Sequence, residues 1–317
     1  LHEGRCSRVE VRLELSEGRD RPGVAGQESD TIRSHDASFR EREERDERGE
    51  GGPAPLAIGP LRQSLYVGRR GSRQISSFSI DQKTGGLTMS GTVELETDPC
   101  FLATDRKGRF VLASYYEGAA VSVHPIGDDG SVGARPVEWR HTARGAHSFQ
   151  TDPTNRFAFV PHIAGRGPNL ILQFRFDETT GHITPNVPDR VTPTEQDGPR
   201  HFCFHPRLNV LYFSNEQGCS VTGYHLDPSS GTLRPFQTVS TLPAGFQGQN
   251  SCSKIQITPS GKFLYAPNRG HDSIAGFSVD AASGRLTSTG QTPGERVPRA
   301  FSLDPQGKFL YSAGLES

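Results

Sequence analysis

The chain has 317 residues and a formal net charge of −1, with its Lys and Arg side chains interspersed among Asp and Glu. This even charge distribution lacks the basic face expected of nucleic-acid-binding proteins, so nucleic acid is not expected as a partner. No apolar run approaches the roughly 18 residues needed to cross a bilayer. The five cysteines form no CxxC pair, as expected for reduced thiols. The sequence therefore predicts a soluble cytoplasmic protein without membrane contact.

The first 55 residues differ from the rest of the chain, and residues 40–50 are almost wholly charged. Such a segment cannot bury enough apolar surface to offset its ordering entropy. Residues 1–55 are therefore predicted to form a charged tail that is disordered or a solvated helix. Within the tail, the alternating apolar residues 9–15 are compatible with an amphipathic strand or with a chance pattern in a flexible arm.

From residue 56 onward, the pattern Asp-x-x-x-Gly-x-(Leu/Ile) recurs at Asp81, Asp177, Asp227 and Asp280, each time after a short alternating run. An Asp side chain can bond to its own backbone and Gly tolerates positive φ, so each copy predicts a tight turn between two antiparallel strands.

A second turn pattern, of the type Asp-Pro-x-Gly-Lys, is centred on Gly108, Asn155, Asn209, Gly261 and Gly307, with steps of 46 to 54 residues. A period of about 40–50 residues with four short strands per period is typical of a β-propeller. The predicted fold is all-β, with four-stranded antiparallel blades. Residues 56–317 supply about five and a half blades, and the last blade is truncated to its first two strands. Either the sequence is a fragment of a longer protein or the ring closes imperfectly. An open ring leaves unpaired blade edges, which predicts low solubility or association, and the expected state is a monomer or a weak homo-oligomer.

The candidate site follows from chain reversal within each blade. The inner strand runs along the channel and the second strand returns, so the start of one and the end of the other lie at the same rim. These two positions collect five polar side chains at one mouth of the channel: His147, Arg200, Glu216, Arg269 and Arg299.

Next to them in the sequence stand His201, Lys254, Asn215 and Asn268. The excess positive charge predicts a small anionic ligand, because Arg pairs two oxygens of a carboxylate or phosphate at once. Two alternatives remain open. Arg200 and Glu216 could only tie neighbouring blades together, and the histidines could only satisfy backbone groups.

No metal or other cofactor is expected. Each Asp-containing turn offers one carboxylate, whereas calcium takes several oxygen ligands. His201 and His205 lie four residues apart on a strand, about 13 Å by strand rise, which is too far to chelate one metal.

Three segments carry a family resemblance: Gly-Pro-Arg-His at 198–201, Ser-Asn-Glu at 214–216 and Asn-Arg-Gly-His at 268–271. With these motifs, the chain from about Leu65 onward resembles the lactonase family of seven-bladed β-propellers. That family includes the bacterial propeller-type 6-phosphogluconolactonase and the fungal carboxymuconate lactonising enzyme. The resemblance implies a metal-independent enzyme whose catalytic set is His147, Arg200, Glu216 and Arg269.

The expected reaction is hydrolysis of a sugar-derived lactone, with 6-phosphogluconolactone the favoured substrate. In this hypothesis, Arg269, Arg299 and Lys254 hold the phosphate, and Arg200 stabilises the oxyanion. His147, with a pKa near its ordinary value of about 6.5, takes a proton from water. Glu216 orients the water or serves as the partner acid.

Two other functions remain compatible with the same residues. The arginines could grip the carboxylates of a carboxymuconate-type diacid in a lactonising reaction. The propeller could also be non-catalytic and bind an anionic metabolite or a protein.

Overall fold

The computed structural model describes residues 53–316. The first strand begins at Pro53, three residues before the predicted start of the propeller. The rest of the predicted tail, including the alternating segment 9–15, lies outside the described residues.

The described chain forms 22 strands in six antiparallel sheets, and it contains no helix. Blades 1 and 2 comprise β1 (Pro53–Ile58), β2 (Ser64–Arg69), β3 (Gln74–Ile80), β4 (Leu87–Glu94), β5 (Phe101–Thr104), β6 (Phe110–Tyr115), β7 (Ala120–Pro125) and β8 (Glu138–His141). Blades 3 and 4 comprise β9 (Gln150–Thr151), β10 (Phe157–His162), β11 (Leu170–Phe176), β12 (Ile183–Val191), β13 (Pro199–Phe204), β14 (Val210–Asn215), β15 (Ser220–Leu226) and β16 (Leu233–Ser240). Blades 5 and 6 comprise β17 (Gln256–Ile257), β18 (Phe263–Asn268), β19 (Ser273–Val279), β20 (Leu286–Pro293), β21 (Pro298–Leu303) and β22 (Leu310–Gly314).

Within each sheet the strands follow one another in chain order. Five sheets have four strands and the sixth has two, which confirms the prediction of an all-β propeller with about five and a half blades in the described chain.

The Asp-x-x-x-Gly turns have the predicted chemistry. Between β3 and β4, Gly85 N donates to Asp81 O at 2.8 Å, and Asp81 Oδ1 accepts from the backbone of Lys83 and Thr84. Gly85 has a φ of 70°, in the left-handed region that favours glycine. The side chain of Asp81 therefore closes the turn, and the glycine allows the chain to reverse.

The second turn type joins the two inner strands of a blade. Asp105 Oδ1 accepts from Arg109 N at 2.6 Å and from Phe110 N at 2.9 Å, so one carboxylate organises the whole hairpin between β5 and β6. This reversal returns β6 to the rim at which β5 began.

Neighbouring blades are joined by apolar packing and by glutamine side chains. Phe159 of blade 3 packs edge-on against Phe202 of blade 4, and both rings are buried. Burying such a ring stabilises the fold by about 1.5–3 kcal/mol. Gln173 of blade 3 accepts a hydrogen bond from Leu233 N of blade 4 at 2.8 Å. Each blade therefore depends on the next for part of its core and part of its backbone bonding.

Candidate active site

The antiparallel register of β13 and β14 places the start of one strand beside the end of the other. Pro199 pairs with Asn215, and Glu216 N donates to Gly198 O at 2.7 Å. The start of β13 and the end of β14 therefore lie together at the rim, where the side chains of Arg200 and Glu216 meet. The same relationship holds in β21 and β22, where Pro298 pairs with Gly314. Chain reversal therefore sets one pair of rim positions in each blade, as the sequence predicts.

These rim positions surround a cavity of about 700 Å³, here called the mouth cavity, which is lined by residues within or next to the strands of all six blades. Its polar lining consists of Arg70, Cys100, Tyr116, Glu117, His147, Arg200, His201, Glu216, Lys254, Arg269 and Arg299. The structure thus brings seven of the nine predicted site residues into one concavity. A concavity with convergent polar groups is the usual form of a small-molecule site.

Three of these side chains form a bridged ion-pair triad. Arg200 Nε donates to Glu216 Oε2 at 2.7 Å, and Arg269 Nη2 forms an ion pair with Glu216 Oε1 at 2.9 Å. Arg269 Nη2 also donates to the carbonyl oxygen of Cys252 at 2.9 Å. Both carboxylate oxygens are engaged, so Glu216 positions two guanidinium groups. Arg269 is held by Glu216 and by this carbonyl group, and its place in the phosphate site stays a prediction.

A β-bulge explains why two consecutive residues face the mouth cavity. Pro199 pairs with Asn215 and His201 pairs with Ser214, so Arg200 is the extra residue on its strand. Side chains on a regular strand alternate between faces, and a bulge re-aims one of them. Arg200 and His201 therefore both reach the cavity, where Arg200 Nη1 lies 3.4 Å from His201 Nδ1.

The two histidines of the cavity lie against each other within a row of rings. The ring centroids of His147 and His201 are 5.1 Å apart, and Tyr116 packs edge-on against His147 at 5.6 Å. Within the described chain, His147 Nδ1 is buried without a hydrogen-bond partner. This row fixes the orientation of both imidazoles beside the Arg200 guanidinium.

Burial and positive charge together lower the pKa of both histidines. Desolvation, followed by the charge of Arg200, holds the pKa of His147 well below its usual value. The same two causes act in the same order on the pKa of His201. The expectation of an ordinary pKa for His147 is therefore wrong, because burial and the charges of arginines from several blades act on this ring only in the folded protein. Both rings are neutral at pH 7.

Lys254 lies in the mouth cavity next to Arg200. Its pKa is lowered, first by burial and then by the Arg200 charge. No ion pair joins its ammonium group to a carboxylate within residues 53–316. The ammonium group of Lys254 can therefore pair with an anionic group of a ligand, or with negative charge that develops on the ligand during a reaction.

Asn215 and Asn268 do not line the mouth cavity. Asn215 Nδ2 donates to the hydroxyls of Ser220 and Thr222 inside blade 4. Asn268 Nδ2, in blade 5, donates to Thr241 O, which directly follows β16 of blade 4. Each asparagine precedes a residue that does face the cavity, and adjacent strand residues point to opposite faces. The structure therefore corrects the expectation that these two side chains contact substrate.

Sequence reasoning missed Arg70, which also lines the mouth cavity. Arg70 directly follows β2, just as Glu216 follows β14 and Arg269 follows β18. The first repeat, around Gln63, lacks the Asp and Gly marks from which the other repeats were counted. Counting from Gln63 by the eight residues that separate Gly108 from Tyr116 ends at Gly71, one residue beyond Arg70.

Among residues 53–316, no group of three or more His, Cys, Asp or Glu side chains is arranged to hold a metal ion. The same part of the chain contains no helix long and apolar enough to cross a membrane.

The fold and the site define a class of protein: a β-propeller with a cation-rich cavity at one mouth of its channel. The family model for the seven-bladed β-propeller lactonases matches residues 31–317. The chain belongs to this lactonase family.

Individual relatives agree with the family assignment. The chain is 39% identical over 264 residues to the 6-phosphogluconolactonase of Pectobacterium carotovorum, covering 83% of this chain and 77% of the relative. It is 35% identical over 263 residues to the 6-phosphogluconolactonase of Serratia proteamaculans, covering 83% and 78%. Among solved structures, a periplasmic gluconolactonase of Pseudomonas aeruginosa is similar with a TM-score of 0.75 and 25% identity, covering 83% and 78%.

Proposed function

We propose that the mouth cavity hydrolyses 6-phosphogluconolactone to 6-phosphogluconate. The single observation that carries the chemistry is the meeting of Arg200, Lys254 and the neutral imidazole of His147 in one cavity. The names of the curated relatives support this choice of substrate. A small anionic lactone is accordingly the proposed partner of the site.

The positive charges of Arg200 and Lys254 stabilise negative charge on the carbonyl oxygen of the lactone. When water attacks the carbonyl carbon, that oxygen becomes an oxyanion, and fixed charge at this point is usually the largest catalytic contribution. Lys254 and Arg200 both line the cavity, and the pKa of the Lys254 ammonium group is lowered first by burial and then by the charge of Arg200. Arg200 is anchored through Nε by Glu216, which holds its guanidinium in place without movement during the reaction.

His147 serves as the general base. Its lowered pKa keeps the ring neutral, so it can accept a proton from the attacking water. The new C–O bond forms as this proton passes to the ring. The tetrahedral intermediate then collapses, the ring C–O bond of the lactone breaks, and the imidazolium returns its proton to the departing oxygen. The products are a carboxylic acid, which ionises, and a free hydroxyl group.

Glu216 positions the catalytic groups in this scheme. Its two oxygens hold Arg200 and Arg269, and it thereby sets the distance between their charges and the substrate. The proposed reaction uses no metal ion. The cytoplasmic location and the monomeric or weakly oligomeric state stay predictions.

The test is turnover of 6-phosphogluconolactone by the full chain, with the spontaneous rate subtracted. We expect hydrolysis by the unaltered protein and a loss of about 10²- to 10³-fold in kcat for Lys254→Met, the usual cost of removing an oxyanion partner. Lys83→Met, an exposed lysine on the turn after β3, is the matched control and should leave kcat unchanged.

Two results would overturn the proposal. Faster turnover of a carboxymuconate-type lactone than of 6-phosphogluconolactone would favour the lactonising reaction. Tight binding of 6-phosphogluconate without turnover of any lactone would favour a non-catalytic propeller.

A further inference from the structure

Two arginines at the mouth cavity have no part in the ion-pair triad. Arg70 follows β2 at the position that Glu216 and Arg269 occupy after their own strands. Arg299 is the second residue of β21, and a bulge between Pro298 and Ala300 makes it the extra residue there, as Arg200 is on β13. Both side chains therefore stand at rim positions that the fold directs toward the cavity, and both line it.

The charges in the cavity do not balance. Five cationic side chains line it, against the carboxylates of Glu117 and Glu216. Glu216 is taken by the triad, and Glu117 pairs with Arg144 at 2.5 Å. Within residues 53–316, no carboxylate forms an ion pair with Arg70 or Arg299. With neutral histidines, the cavity retains three positive charges more than negative ones.

The unpaired arginines are close enough to repel each other. The pKa of Arg299 is lowered, first by desolvation and then by the charges of Arg70 and Arg269. Gathering like charges costs free energy that a bound anion recovers, and two guanidinium groups suit the several oxygens of a phosphate. The repulsion is thus relieved best by a dianion.

We propose that Arg70 and Arg299 form the subsite for the phosphate of the substrate and set the preference for a phosphorylated over an unphosphorylated sugar lactone. This inference rests on the proposed function. Arg269, which is bound to Glu216 and to a backbone carbonyl, stays outside the subsite. Lys254, whose pKa is lowered by burial and by the charge of Arg200, interacts instead with the carbonyl group of the lactone.

Proteins similar to this chain include both 6-phosphogluconolactonases and a gluconolactonase, so phosphorylated and unphosphorylated lactones are the two substrates to compare. Arg70 and Arg299 are exposed at the rim, so their replacement is not expected to impair folding. Glucono-1,5-lactone lacks only the phosphate, and it therefore separates the phosphate subsite from the groups at the carbonyl.

The experiment compares kcat/KM for the two lactones in the full chain and in Arg70→Gln, Arg299→Gln and the double variant. We expect each single change to lower kcat/KM for 6-phosphogluconolactone by about 10- to 100-fold, the usual cost of losing a hydrogen-bonded charge. The ratio of kcat/KM between the two substrates should fall by a similar factor. Arg135→Gln, an exposed arginine outside the cavity, is the control and should keep the ratio within about twofold.

Equal losses on both lactones, or no loss on either, would overturn the inference. Calorimetric binding of 6-phosphogluconate and gluconate gives a reading that does not depend on turnover. If the unaltered chain hydrolyses neither lactone but Arg70→Gln weakens only 6-phosphogluconate binding, the phosphate subsite stands and the proposed reaction fails. If turnover is present but Arg70→Gln and Arg299→Gln bind both acids as the unaltered protein does, the subsite is wrong and the reaction stands.

Discussion

Glu216 and Arg269 belong to neighbouring blades and form an ion pair of 2.9 Å at the rim of the channel. The second oxygen of Glu216 binds Arg200 of its own blade. One carboxylate therefore couples the packing of blades 4 and 5 to the placement of a catalytic guanidinium. Stability and activity should depend on it together.

Glu216→Gln tests this coupling. The change removes the one negative charge between two guanidinium groups, and breaking a buried pair from one side costs about 3–5 kcal/mol. Because Glu216 and Arg269 each keep 17% exposure, we expect the lower end of that range, about 3 kcal/mol, in the free energy of unfolding measured with urea. The kcat/KM for the lactone should fall at least about tenfold, because Arg200 loses its anchor.

Asp189→Asn is the matched control for that measurement. Asp189 and Arg190 form an ion pair at 2.6 Å on an exposed strand, and exposed pairs contribute less than about 1 kcal/mol. Similar unfolding free energies for Glu216→Gln and Asp189→Asn would show that the triad does not join the blades.

His147 is predicted to bind a proton only at a pH well below that at which a free histidine does. Burial and the charge of Arg200 lower the pKa of His147, so its ring should stay neutral as the pH falls through about 6.5, where a free histidine takes up a proton. Proton NMR of the imidazole Cε1–H, assigned with His147→Gln, measures the midpoint. The midpoint should rise when 6-phosphogluconate binds, because the anion offsets the arginine charges. A midpoint at or above 6.5 in the free protein would contradict the description of the site.

Cys100 lines the mouth cavity but is not expected to act as a nucleophile. Burial raises the pKa of its thiol, although Ser114 and Arg200 act in the opposite direction. At neutral pH the thiolate is therefore scarce, and the thiol donates to backbone carbonyls of Ser114 and Ala146. Cys100→Ala should keep kcat/KM within about threefold, and a loss of activity comparable to that of Lys254→Met would contradict this reading.

Asn268 is expected to act on stability alone. Its side chain makes hydrogen bonds with Asn250 and Ser273 and with Thr241, which directly follows the last strand of blade 4. Asn268→Ala leaves buried partners unpaired and should cost about 1–3 kcal/mol in urea unfolding, with the KM for the lactone unchanged. Asn209→Ala, at an exposed turn, should change neither quantity. If Asn268→Ala raised the KM for the lactone without lowering the free energy of unfolding, Asn268 would be a substrate-binding residue after all.

Turn chemistry made the fold predictable from the sequence. Asp81 and Asp105 belong to two kinds of turn, and the spacing of these turns reveals the length of the repeat. Strand reversal within a repeat then predicts that Arg200 lies beside Glu216, without any knowledge of side-chain packing. Arg70 was missed because its repeat lacks those turn residues. Asn268 was misplaced because residues adjacent on a strand were assumed to share a face.

Two other features depend on three-dimensional packing. The bulge that brings both Arg200 and His201 into the cavity has no marker in the sequence. The pKa of His147 depends on burial and on charges contributed by other blades, and these become known only once the blades are assembled.

The most direct test of the account is kcat/KM for 6-phosphogluconolactone at pH 7 in His147→Gln, relative to the unaltered chain and with spontaneous hydrolysis subtracted. His141→Gln, an exposed histidine at the end of β8, is the control. If His147 is the general base, its variant should lose about 10²- to 10⁴-fold while the control retains full activity. A His147→Gln protein that hydrolyses the lactone as fast as the unaltered chain would contradict the assignment of the mouth cavity as the active site.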